Sequence, residues 1–126
     1  MSHDAMHEDF LRAGGMQTIA ITLSRYAESL APGGEFIKEG RKWIYRPNNF
    51  VTFEVQPRKA GILITMRGGP EQFRPRAEAH GLLIEYGNLD RDRSAYSRYP
   101  VRNPGQLLAA AQFIKWAFDN SKKKSK

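Results

Sequence analysis

The chain of 126 residues has the size of one domain, and its 40% hydrophobic and 26% charged composition is that of a globular protein. It has no cysteine, which excludes disulfides, thiolate metal sites and a cysteine nucleophile, and no apolar run nears the roughly 20 residues of a membrane-spanning helix. The net charge of +7 is uneven, since residues 1–34 hold four acids against two bases and the cationic excess lies beyond them. The polar start (Met1, Ser2, His3, Asp4) is unlike a secretory signal, so we expect a cytoplasmic protein with no membrane partner; the basic balance suits DNA or RNA.

In chain order, residues 1–13 place Phe10 and Leu11 in a polar stretch that reads as a short separate helix, ended by Gly14-Gly15. From Met16 onward, Ile19, Leu23, Tyr26, Ala27 and Leu30 form one stripe of a helix that Pro32-Gly33-Gly34 stops. Glu35 to Lys38 and Lys42 to Arg46 read as strands joined tightly through Glu39-Gly40-Arg41, and Arg46-Pro47-Asn48-Asn49 is the next turn. Val51, Phe53 and Val55 alternate with Thr52, Glu54 and Gln56, the period of a half-buried strand. After a reversal at Pro57 to Gly61, Ile62, Ile64 and Met66 alternate in a partner strand.

Gly68-Gly69-Pro70 breaks the sheet, and Glu71 to Ala79 reads as a short helix weakened by Pro75. Leu82 to Tyr86 reads as a buried strand, Asn88 to Ser94 as a solvated loop of alternating charge, and Tyr96 to Val101 as an edge strand that tolerates Pro100. The last helix has the clearest start: Asn103 as cap, Pro104 in the first helical position and Gln106 in the place of a capping-box partner. Leu107, Ala111, Ile114 and Phe118 then repeat at helical spacing, with Leu108 and Ala110 widening the face, and Asn120 is the expected end. The expected fold is therefore a single α+β domain over residues 1–120, an antiparallel sheet of about five strands with an N-terminal and a C-terminal helix packed on it. Residues 121–126 are expected to form a disordered basic tail.

The run Glu35 to Gly68 resembles the strand-rich middle of a family of small bacterial domains of unknown function, labelled predicted transport proteins and found alone or fused to restriction-type and other DNA-associated proteins. In that family a basic-aromatic strand leads to an F-x-x-x-x-P-x-K-like segment, an aliphatic strand and a capped final helix. Lys42 to Tyr45, Phe53 to Lys59, Ile62 to Met66 and Asn103 to Phe118 occupy those places. A glycine-rich stretch expected before the final helix is replaced by Asp90 to Arg98. The resemblance implies an α+β fold and an association with DNA-handling systems, and it supplies no catalytic residue.

The strongest constellation is basic and aromatic. Arg41, Lys42, Trp43, Tyr45, Arg46, Phe50, Arg58, Lys59 and Arg67 lie in adjoining strands and turns, where cations would hold phosphates and an exposed ring would stack on a base. The competing reading makes Trp43 and Phe50 core residues and the cations a solvated rim. Arg91, Arg93, Arg98 and Arg102, with Tyr96 and Tyr99, form a second group, in which Asp90 and Asp92 are competing partners. Glu54-Val55-Gln56 is only an echo of the Glu-x-Lys strand of metal-dependent nucleases, without the lysine. His3 and His7 share the spacing of metal ligands at an end that suits none, and His80 stands alone before Gly81. No catalytic residue, metal site or cofactor is expected. The leading expectation is a non-enzymatic module that contacts nucleic acid through the basic sheet and tail, and the alternative is a protein-interaction or homo-oligomerisation domain.

Overall fold

A computed structural model describes residues 2–82, 89–93 and 95–124, with side chains described for residues 5–82, 89–93 and 95–122. In order they form α1 (Ser2–Asp9), a 3-10 turn (Phe10–Ala13), α2 (Gln17–Leu30), β1 (Glu35–Glu39), β2 (Lys42–Arg46) and β3 (Val51–Gln56). A second 3-10 turn (Pro57–Lys59), β4 (Gly61–Arg67), α3 (Pro70–Ala79), β5 (Asp90–Arg93), β6 (Tyr96–Val101), a third 3-10 turn (Pro104–Gln106) and α4 (Leu107–Lys124) follow. The six strands make one antiparallel sheet in the order β1-β2-β3-β4-β6-β5, so the α+β architecture stands with one strand more than expected. No described helix is long and apolar enough to cross a membrane.

Strand alternation sorts the sheet into two faces. Trp43, Phe53, Ile64 and Tyr99 share one register line across β2, β3, β4 and β6, and all are buried. The neighbouring line on the opposite face is Ile44, Thr52, Thr65 and Arg98. The helices pack on the first face: α4 lies against β3, β4 and β6, the N-terminal helix and turn against β1 and β3, and α2 and α3 against α4. Edge-on ring contacts knit this layer together, Phe36 to Tyr45 at 5.0 Å, Phe36 to Phe53 at 5.4 Å and Tyr99 to Phe113 at 5.1 Å between centroids.

Two strand expectations change. β6 is an interior strand, hydrogen-bonded to β4 and β5, and among the described residues its pairing with β5 reaches no further than Asp90↔Arg98, short of Pro100. Asp90 to Arg93, expected within a loop, is the edge strand β5, whose run of charges suits an edge by resisting pairing with another chain. The strand expected over Leu82–Tyr86 lies, from residue 83 onward, outside the described residues.

The start of the last helix matches its sequence signal: Asn103 Oδ1 accepts from the Gly105 amide at 2.8 Å, and Gln106 Oε1 accepts from the Asn103 amide at 3.0 Å. The helix buries more than one stripe, because α4 meets the sheet and also α2 and α3. Phe113 and Trp116 are therefore buried beside Ala110, Ile114 and Ala117, Leu107 and Phe118 are half-buried, and Leu108 is 75% exposed. Helix α4 also runs past Asn120 to Lys124, so the first four residues of the expected disordered tail are helical. Lysine propagates a helix well, and buried Ser121 donates its hydroxyl to the Phe118 carbonyl at 2.7 Å.

Two tyrosines tie the layers together. The Tyr45 hydroxyl donates to the Ala31 carbonyl after α2, and burial pushes its pKa up, with Glu28 adding to the rise and the Gly34 backbone opposing it. Burial likewise raises Tyr99, with the Gln106 side chain opposing the rise.

Two outcomes follow. Ile114→Ala should cost about 2 to 5 kcal/mol in reversible urea unfolding, while Leu108→Ala should change stability by less than about 0.5 kcal/mol. A folded pKa above the unfolded value of about 10 means that the unfolded chain loses these phenolic protons first, so stability is complete below pH 10 and falls as pH rises beyond it. Tyr45→Phe should flatten that alkaline decline in a series of melts from pH 8 to pH 11.

Candidate nucleic-acid interface

Three turns meet at one end of the sheet. Gly40 and Arg41 join β1 to β2, with Gly40 at a φ of 65° that suits a tight hairpin. The Pro57–Lys59 turn leads β3 into β4 and closes with Ala60, whose amide donates to the Pro57 carbonyl at 3.3 Å. The Phe10–Ala13 turn lies against it through Gly14, which is left-handed at a φ of 59° and where a Cβ would stand 2.6 Å from that of Ala60. Gly14, at the break after the N-terminal helix, is thus also what allows two backbones to touch.

Between these turns lies an open cleft of about 610 Å³. Its lining cations are Arg12, Lys38, Arg41, Arg58 and Lys59, and its carboxylates are Asp9 and Glu54, an excess of three positive charges. Asp9 is occupied structurally: one oxygen accepts from the Trp43 indole at 3.0 Å and the other from Arg12 at 2.7 Å. Lys38 sits 5.5 Å from the centre of the Trp43 ring. Arg41, Arg58 and Lys59 are exposed and have no ion pair among the described residues. Glu54 and Gln56 share one face of β3, and the Gln56 Oε1 is buried without a hydrogen-bond partner among the described residues.

The residues singled out in the sequence separate into four groups. Arg41, Arg58 and Lys59 come together in the cleft. Lys42, Arg46, Arg67 and Arg98 belong to the face away from the helices, where Arg46 pairs with Glu39 at 2.9 Å and Arg67 lies 5.3 Å from the centre of the Tyr96 ring. Arg91 and Arg93 are on the β5 edge, three strand steps and about 14 Å from β3, with Arg91 paired to Glu71 and Arg93 Nε 3.6 Å from Asp92. Trp43 and Tyr45 are corrected to core residues, as is Phe50: all three face the helical layer and are too deeply buried to stack on a base.

Arg12, Lys38, Asp9 and Gln56 were not singled out as parts of a site. Asp9 and Arg12 are an i, i+3 pair, but no local pattern in the chain links them to Lys38 or Gln56. The carboxylates form no metal cluster, since among the described residues no three His, Cys, Asp or Glu side chains converge. His7 stacks on Phe10 at 6.3 Å, whereas the side chain of His3 lies outside the described set. His80 packs on Trp116, with ring centres 5.4 Å apart.

Removing the Asp9 carboxylate tests how this end is held. Asp9→Ala should cost about 1 to 3 kcal/mol, because it leaves a largely buried indole N–H unpaired, and should change Trp43 fluorescence. Arg12→Ala, at a site whose side chain is 60% exposed, should cost less in the same denaturation series.

Compared with protein-family models, curated proteins and solved structures, the chain matches none of them.

Proposed function

We propose that this domain is a non-enzymatic binding module that contacts nucleic acid, with the cationic cleft as its principal contact and Lys42 and Arg98 on the adjoining face as secondary ones. The observation that carries this reading is that Arg41, Arg58 and Lys59, brought from two different turns, border one cleft without an ion pair among the described residues. Intramolecular pairing removes much of the attraction that a cation offers a phosphate, so free cations count for more than the net charge of +7 does. Arg46, Arg91 and Arg93 are weaker candidates for this reason, since each is ion-paired with an acid. The resemblance of Glu35 to Gly68 to domains fused to DNA-associated proteins is consistent with the same role, and the setting is proposed to be cytoplasmic.

Asn120, just before the lysine-rich end of the chain, lies far from the cleft. β4 starts beside the cleft at Gly61 and ends at Arg67, whose carbonyl accepts from Asn120 of α4 at 2.8 Å. At about 3.4 Å per residue the two ends of β4 are about 20 Å apart. Tail and cleft are therefore two separate contacts on this reading.

A second reading, an interaction or oligomerisation domain, draws on Ile37, which is 40% exposed next to half-buried Ile44 on the face away from the helices.

Phosphate contacts release counterions, so binding to single-stranded or duplex DNA or RNA should weaken steeply with salt. Changing Arg41, Lys42, Arg58 and Lys59 together to Gln should lower the log-log salt slope by about 3 to 4 units while the fold survives. Absence of any salt-sensitive binding at low ionic strength would overturn the nucleic-acid reading. A mass that rises with concentration in sedimentation would then favour the second one.

A further inference from the structure

The cleft gathers its cations around a hollow instead of spacing them along a groove. Proteins that follow a nucleic-acid backbone line a track with cations and place aromatic rings beside it. Here Lys38 and Arg41 come from the β1–β2 hairpin and Arg58 and Lys59 from the Pro57–Lys59 turn, and all four border the same 610 Å³. The one nearby indole, that of Trp43, is buried and committed to Asp9. That volume falls in the range of about 300 to 1,000 Å³ typical of small-ligand sites and is enough for one nucleotide.

Charge narrows the ligand further. An internal phosphodiester carries one negative charge, whereas a phosphomonoester carries about 1.5 to 2 at pH 7 and has more free oxygens to accept hydrogen bonds. Since Coulomb attraction scales with charge, the monoester gains more from the same four cations. The floor adds a second requirement. Glu54 repels a bare anion, yet its carboxylate offers acceptors to hydroxyl or amino groups. A nucleotide has both features: a phosphate for the turns, and sugar hydroxyls and base amino groups for β3.

We propose, building on the nucleic-acid reading above, that the cleft binds a nucleotide phosphomonoester, either at the end of a strand or free. Arg41, Arg58 and Lys59 hold the phosphate, and Glu54 accepts hydrogen bonds from the sugar or base.

The test uses the full chain and one short single-stranded oligonucleotide in three forms: 5′-phosphorylated, 3′-phosphorylated and without a terminal phosphate. Competition by a nucleoside monophosphate and by inorganic phosphate accompanies it. One phosphorylated form should bind about tenfold tighter than the unphosphorylated one, the scale of a single charge-assisted hydrogen bond. R58Q/K59Q should abolish that difference while retaining the wild-type circular dichroism. E54Q should weaken the phosphorylated strand without affecting inorganic phosphate. Competition by the mononucleotide at the affinity of the phosphorylated strand supports a free nucleotide, and competition by strands alone supports a strand end. Equal affinity for the three forms overturns the phosphomonoester inference and leaves the nucleic-acid reading standing, whereas no binding of any form, with none of the nucleoside monophosphate in a direct titration, overturns both. Inorganic phosphate competing as well as the nucleotide, or tighter strand binding by E54Q, overturns the role given to β3.

Discussion

Phe53 packs against Phe10 from the N-terminal turn, at 6.0 Å between ring centres, and against Phe36 from the edge strand β1, at 5.4 Å. It is fully buried in a central strand, in register with Trp43 on one side and Ile64 on the other. Through this ring the apolar face of the sheet is joined to the segment before it, and the Phe10–Ala13 turn is held over the ends of β1 and β3. The cleft exists because of that placement. Without the N-terminal segment over the sheet, Arg12 and Asp9 would not reach the hairpin turns.

A second constraint is electrostatic. Asp9 uses both carboxylate oxygens, one on an indole of the sheet and one on a guanidinium of its own turn, so it locks the segment and offsets Arg12 at once. Glu54 is then the only cleft carboxylate without such a commitment among the described residues. The cleft differs in this from the β5 edge and from the β1–β2 hairpin away from its turn, where Arg91 and Arg46 already face Glu71 and Glu39. On an exposed surface such pairs add little to stability, but they lower the attraction left for an outside anion.

Much of the fold was legible in the sequence because its signals are local. Period-two alternation in Val51 to Gln56 and Ile62 to Met66 marks strands wherever they lie, and Asn103, Pro104 and Gln106 carry the helix start in side chains that bond to their own backbone. Signals went wrong where a neighbour decides. Pro100 suggested an edge, yet β6 is interior, and the described pairs with β5 stop at Arg98, short of Pro100. The charges of Asp90 to Arg93 suggested a loop, although an edge strand wets both its faces.

The site was less legible for the same reason. By itself the sequence determined that a basic, cysteine-free α+β domain would form and that Arg41, Arg58 and Lys59 would stand in turns, since composition, periodicity and turn chemistry are properties of short stretches. Only the tertiary structure decided that Trp43 and Tyr45 face the core, because the sign of an alternating pattern depends on which face the helices cover. It alone also brought Arg12 and Lys38 to the same hollow as Arg58, because the separation of side chains far apart in the chain is set by packing and not by their spacing along it.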